Sequence, residues 1–239
     1  MSRIMIFGDF KANKVKRLNL DGALVRMLNE SDINIVNFEA PVKTGHSPIH
    51  KSGPNISQDI QAPEFLEQLG FNVISLANNH LFDFGPEGFL ATKDAFSKES
   101  LIGAGTENEA YKPAVIESKD GLKIGILAAT HNEFGNHGAL SANELGTASL
   151  LSPKFRESVR LSALDPGIDF LLIVSHAGVE NVEYPLPELR EIYRELIDLG
   201  ADAVIASHPH IIQGLETYKD KPIAYSLGNF CFQTDKPNL

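Results

Sequence analysis

Seven polar side chains in this 239-residue chain share one kind of position, at or just past the end of a short apolar run. They are Asp9 after IMIFG, Glu39 after INIVNF, Asn79 and His80 after VISLAN, His176 after FLLIVS, and His208 and His210 after AVIAS. Carboxylate, amide oxygen and imidazole are donors that hold zinc, manganese or iron. Each residue alone has a bland reading. Gly8-Asp9 is a common turn or helix cap, Glu39 a solvated strand end, Asn79 a turn cap, and His176 a core histidine bonded to a backbone carbonyl. His208 and His210 are harder to set aside, because residues two apart on an extended segment face the same side. In open α/β sheets ligands bind beyond the carboxyl ends of the strands, so the coincidence favours a shared metal site.

The elements that must carry these residues are short, β-branched and apolar. The runs Ile4 to Phe7, Ile33 to Phe38, Val73 to Ala77, Ile124 to Ala129, Phe170 to Val174, Ala203 to Ala206 and Ile223 to Leu227 read as strands buried on both faces. Between them lie amphipathic segments: LDGALVRMLNES, APEFLEQLG, PEGFLATKDAFSK, PKFRESVRLSAL and PLPELREIYRELIDLG. Prolines at their starts and Leu-Gly at their ends are helix boundary signals. The alternation predicts α/β architecture with much parallel sheet, and periodicity alone gives one doubly wound sheet. Two stretches carry no period, 42–63 and 131–153, and loops of that length are more often functional than idle.

Composition narrows the partners. With 31 acidic and 21 basic residues the net charge is -10, which opposes non-specific binding to a polyanion, so nucleic acid is not an expected partner. The single cysteine, Cys231, excludes an internal disulfide. No run approaches the ~20 apolar residues of a membrane span, and the opening MSRIMIFGDF lacks a signal-peptide core. The chain as it stands is expected to be soluble and cytoplasmic, with no internal repeat or linker to divide residues 1–239 into more than one domain.

Taken in order, Gly8-Asp9, Asn37-Phe38-Glu39-Ala40-Pro41, Ala77-Asn78-Asn79-His80, His176-Ala177-Gly178-Val179-Glu180, Ser207-His208-Pro209-His210 and Ser226-Leu227-Gly228-Asn229-Phe230 form an ordered set of motifs. The set resembles the CapA/PgsA capsule and poly-γ-glutamate biosynthesis proteins, a family similar in turn to the calcineurin-like metallophosphoesterases. The resemblance implies a four-layer αββα sandwich of two mixed sheets. It also implies one or two divalent ions, as Mn, Zn, Fe or Mg. Asp9, Glu39 and His210 would hold the first and Glu39, Asn79, His176 and His208 the second, with His80 off the metals as an acid. Metallophosphoesterases usually carry a histidine two residues after the first aspartate, where this chain has Lys11, so the first site is expected to be the weaker.

Other polar residues are candidates for substrate contact or for bracing the ligands: Lys11, Asn78, His131, Glu180 and Asn229. His46, His50 and Lys51 in the first long loop suit a lid or an anionic-substrate contact, and His137 reads as surface. Three functions remain open from sequence. One is a metal-dependent hydrolase of phosphoesters. Another is a capsule-assembly component acting at a γ-glutamyl or glycan-linked bond of a polymeric, anionic substrate, in peripheral association with an assembly complex. The third is a binding module with a vestigial metal site.

Overall fold

Alternate residues along the buried strands belong to different cores, and this alternation is what builds the layers. In the computed structural model, which describes residues 2–97, 100–133 and 144–234, the strands are β1 Ile4–Lys11, β2 Ile33–Phe38, β3 Val73–Ser75, β4 Ser100–Ile102, β5 Ala104–Gly105, β6 Ala114–Glu117, β7 Lys123–Thr130, β8 Gly146–Thr147, β9 Phe170–His176, β10 Ala203–Ser207, β11 Leu215–Tyr218, β12 Lys221–Ala224 and β13 Asn229–Phe232. The helices are α1 Gly22–Glu30, α2 Ala62–Gln68, α3 Gly85–Ala95, α4 Glu107–Ala110, α5 Pro153–Ala163 and α6 Pro187–Asp198. Strands β13-β1-β2-β3-β4 form one sheet, parallel throughout, and β11-β12-β10-β9-β7-β6 form a second, mixed one with antiparallel outer strands. A two-stranded ribbon joins β5 and β8.

Ile33 and Ile35 of β2, Ile124 and Ile126 of β7, and Leu172 and Val174 of β9 face one another in a core between the two sheets. Their neighbours Val36 and Phe38 point the other way, into a core closed by Leu28 of α1, Leu66 of α2 and Phe89 of α3. On the far side Leu127, Leu171 and Ile173 pack against Phe155 and Val159 of α5 and Tyr193 and Leu196 of α6. The result is four layers, α/β/β/α, rather than the single doubly wound sheet that periodicity suggests. Strands buried on both faces look alike from sequence whether a helix or a second sheet covers them.

Local chemistry sets the helix ends. Asp21 caps α1 by accepting from Ala23 N, and Ser152 caps α5 by accepting from Lys154 N. Pro153 and Pro187 open α5 and α6, where a missing N–H costs nothing. Truncating a wholly buried ring such as Phe155 to alanine would cost about 3–5 kcal/mol, a large share of a domain's stability. Among the described residues no helix is long and apolar enough to cross a membrane.

Candidate metal centre

The site forms where the two sheets' strands end side by side. Asp9 near the end of β1, Glu39 just after β2 and Asn79 after β3 come from the parallel sheet, while His176 ends β9 and His208 and His210 follow β10 in the mixed sheet. Gly8 lets β1 approach the segment before β13: a Cβ there would lie 1.8 Å from Gly228 O, and Asp9 N donates to that same carbonyl. Gly178, at φ +142, likewise leaves room for Pro209, whose Cγ would be 2.7 Å from a Cβ.

The extended-strand argument for His208 and His210 does not describe their backbone. Both lie in the left-handed region, at φ 104 and 59, and Ala40 beside Glu39 has φ 91. Such conformations are disfavoured outside glycine and gather at functional sites. The turn, not strand alternation, sends His208 toward His176 and His210 toward Asp9 and Glu39.

Asp9, Glu39 and His210 form one corner, with a donor atom from each within 4.8 Å of the others. His210 Nδ1 is 3.5 Å from Asp9 Oδ2 and its Nε2 is 3.8 Å from Glu39 Oε1. A second corner gathers around His176 Nε2, which lies 3.0 Å from Asn79 Oδ1, 3.1 Å from His208 Nδ1 and 4.0 Å from Glu39 Oε1. Glu39 therefore stands between the two.

Electrostatics test whether a cation fits. Burial, and then the charge of Asp9, push the Glu39 carboxyl well above its ordinary range, and neither of its oxygens has a hydrogen-bond partner among the described residues. A buried carboxylate left so is costly unless a counter-charge meets it. Burial would raise Asp9 too, but His176 and His210 beside it hold it below the usual carboxylate range. Burial brings His176 down to about 4 against the pull of Asp9, so its ring is neutral at pH 7. Its Nδ1 faces Asp9 Oδ1 at 3.3 Å, and a ring proton held by that charged acceptor leaves Nε2 bare toward Asn79 Oδ1 at 3.0 Å. A bare Nε2 beside an amide oxygen is a crowd of lone pairs, which a divalent ion would relieve. The donor set fits the metal.

Around this centre, residues beyond the expected ligands hold the donors in place. Asn37, paired in register with Asp9, donates to Asp9 Oδ1 at 2.7 Å and lies 3.1 Å from His176 Nδ1. Asn78 points away from the cleft, donating to Phe38 O at 2.9 Å and capping His80 N through its oxygen. Asn229 Oδ1 lies 2.8 Å from His210 Nδ1. Lys11 neither enters the first corner nor reaches solvent: it is buried, and Nζ donates to Gln233 O at 2.8 Å and to Asn13.

His80 stands apart from both corners. Its Nδ1 is 2.7 Å from Asp83 Oδ2, while Lys51 Nζ bonds the other Asp83 oxygen and lies 3.3 Å from the same ring nitrogen. A single nitrogen cannot both donate to Asp83 and accept from Lys51, and the shorter contact makes it a donor, leaving Nε2 the nitrogen free of these contacts. Asp83 also accepts from Ile56 N at 2.7 Å, so one buried carboxylate orients His80 and fastens the 46–56 loop. Lys51, Gly53, Pro54, His80, Glu133 and Glu180 line a cleft of 390 Å³ with His208 at its floor. Lys51 is thus a buried ion-paired residue, whereas His46 and His50 are exposed and Glu180 is exposed at the cleft mouth. His131 donates from its backbone to His176 O and lies 3.7 Å from Glu133; His137 lies outside the described residues.

Sequence reasoning gave no role to Asn37, although it opens the motif that carries Glu39, nor to Asp83 and Glu133. Asp83 carried a signal, three residues after His80, where a turn or helix start brings side chains together. Asn37 is two residues before Glu39 on a strand and was legible only once strand register is known. Glu133 lies in an aperiodic stretch and carried none.

The sequence model described as "Bacterial capsule synthesis protein PGA_cap" matches residues 11–234. The capsule biosynthesis protein CapA of Bacillus anthracis is 30% identical over 214 residues, which cover 86% of this chain and 51% of that protein. The PGA biosynthesis protein CapA of Bacillus subtilis (strain 168) is 30% identical over 215 residues, covering 84% of this chain and 53% of that protein. The chain thus spans about half the length of these relatives. A 5'-nucleotidase from Candida albicans superposes with a TM-score of 0.56 at 13% identity, over 96% of this chain and 46% of the other. The sulfate thiohydrolase SoxB of Thermus thermophilus gives a TM-score of 0.54 at 12% identity, over 87% of this chain and 38% of that one. At such identities the likeness is one of fold. With its cleft at the strand ends of a metallophosphoesterase-like sandwich, this chain belongs to the bacterial capsule synthesis protein family of CapA.

Proposed function

We propose that this chain is a metal-dependent hydrolase of capsule or poly-γ-glutamate biosynthesis, acting on a phosphoester or on a γ-glutamyl or other capsule-linked bond of an anionic, polymeric substrate. The observation that carries the reading is Glu39, a wholly buried carboxylate whose two oxygens have no hydrogen-bond partner among the described residues, set between two corners of donors. Asp9, Glu39 and His210 would hold one divalent ion, and Glu39, Asn79, His176 and His208 a second. A bound pair of such ions supplies Lewis acidity and a water of lowered pKa.

The remaining steps belong to the protein. Asn37 and His208 N bind Asp9 through opposite oxygens, 2.7 and 3.0 Å away, and so fix its carboxylate plane. Asn229 turns His210 so that Nε2 faces Glu39. Asp83 holds the proton on His80 Nδ1, so that an imidazolium at His80 can give up the Nε2 proton to the leaving oxygen or nitrogen. The loop at Lys51 walls the cleft on the side of His80 and is fastened there through Asp83.

The test is elemental analysis of protein purified without chelators, joined to a turnover screen of aryl phosphates and γ-glutamyl peptides. The reading expects bound divalent metal and turnover that chelation abolishes. Metal-free protein that gains no activity on reconstitution would leave a binding module instead.

A further inference from the structure

We propose that Glu133 is a positioning residue for His208: its carboxylate accepts the Nε2–H of that imidazole and so fixes the tautomer that turns a bare Nδ1 toward His176 and Asn79. The inference about the ring stands by itself; what the ring would bind rests on the metal reading above.

The geometry is specific. His208 Nε2 lies 3.0 Å from Glu133 Oε2, on the side of the ring opposite Nδ1, which lies 3.1 Å from His176 Nε2. His208 is buried, and its backbone N donates to Asp9 Oδ2 at 3.0 Å, so carboxylates grip the residue at the main chain and at the ring edge. Glu133 is itself held near, because the segment leaving β7 is anchored by His131 N donating to His176 O at 3.0 Å. The same carboxylate group lies 3.7 Å from His131 Nδ1.

The competing tautomer shows what Glu133 prevents. Were the proton on Nδ1, it would sit against the bare Nε2 of His176 at hydrogen-bond distance and close the donor corner with a proton. A carboxylate at Nε2 makes the other tautomer the stable one, since a charged acceptor is a stronger partner than a neutral imidazole. Partners of this kind typically change metal affinity by about 10–100-fold.

Two variants and two readouts decide the matter. Protein stripped with chelator and labelled with ¹⁵N-histidine reports the His208 tautomer by long-range proton–nitrogen correlation at a pH where the ring is neutral. Zn²⁺ titration of the same protein against a competing chelator dye reports affinity. The expected result is Nε2–H in the unmodified protein and in Glu133→Gln, whose amide oxygen still accepts, and a shift toward Nδ1–H in Glu133→Ala with Zn²⁺ affinity lower by about 10–100-fold. An unchanged tautomer in Glu133→Ala would overturn the proposal. Glu133→Gln losing as much affinity as Glu133→Ala would overturn it too, by making Glu133 a direct ligand. If the unmodified protein binds no metal, the proposed function fails, and the tautomer alone still judges Glu133. A thermal melt of each variant separates these outcomes from misfolding.

Discussion

The two corners of the centre share Glu39 and differ in almost everything else. The Asp9 corner is acidic, with two carboxylates and one imidazole, its His210 side chain is partly exposed, and its donors stand 3.5 to 3.8 Å apart. The His176 corner is built of two imidazoles and an amide besides Glu39, buried and packed at 3.0 to 3.1 Å. Charge concentrates in the first corner and donor number in the second. A four-donor corner closes a protein shell before any water joins it, whereas a three-donor corner keeps a position open. On the metal reading proposed above, one shared carboxylate would serve a closed, retaining site and an open, exchanging one.

Removing the shared element should break both corners at once. Glu39→Met is expected to abolish metal binding in elemental analysis, and, because two orphaned oxygens leave the interior, to raise the stability of chelated protein by roughly 1–3 kcal/mol in denaturant titration. A fall in chelated stability would mean that Glu39 has a partner after all. His80→Ala sharpens the distinction between corners and chemistry: metal content stays, while turnover of substrates with poor leaving groups falls by about 10²–10⁴-fold and that of activated esters far less. Loss of metal in that variant would reassign His80 as a ligand.

Smaller effects should tell the corners apart. Gly8→Ala pushes a methyl into Gly228 O, so β1 must shift; the expected cost is about 1–3 kcal/mol in stability with weaker binding at the Asp9 corner alone. In stepwise chelation of unmodified protein one ion should leave well before the other, and two equally tight sites would erase the contrast. Lys11→His places an imidazole on the strand face of Asp9 and should tighten the open corner by less than tenfold. It also gives up the charged bond to Gln233 O, worth about 1.5–3 kcal/mol, which a thermal melt of chelated protein reads.

Much of this was legible because burial writes itself into composition. All seven apolar runs expected as strands, and all five amphipathic segments expected as helices, hold such elements. The strands missed lie at edges or turns: β6 and β11 are short and half exposed, and β4 follows α3 with no apolar run of its own. The four-residue helix α4 went unread: it carries a capping box of Thr106 and Glu109 but is too short to show a period. Layer order was not readable from periodicity, since an isoleucine facing a helix and one facing a sheet lie in equally apolar surroundings. At the centre, strand ends gave away the donors. Asn229 was among the expected braces and lies against His210, whereas Asn37, Asp83 and Glu133 were given no role, because they act through register, a turn and a loop that only the folded chain brings into contact.

Asp9, Glu39 and Asn79 hang from one sheet and His176, His208 and His210 from the other, so any ion held among them would be a clasp between two slabs that also meet through an apolar core and, at its edge, through hydrogen bonds such as His208 N to Asp9. A clasp ties mechanical rigidity to metal supply. At a free ion level of 100 times the dissociation constant it would add about 2.7 kcal/mol against unfolding. Starved of metal, the slabs would keep their hydrophobic contact and the His208 to Asp9 hydrogen bond but lose one pin against sliding, and amides of the central layer would exchange with solvent sooner than those beneath the helices.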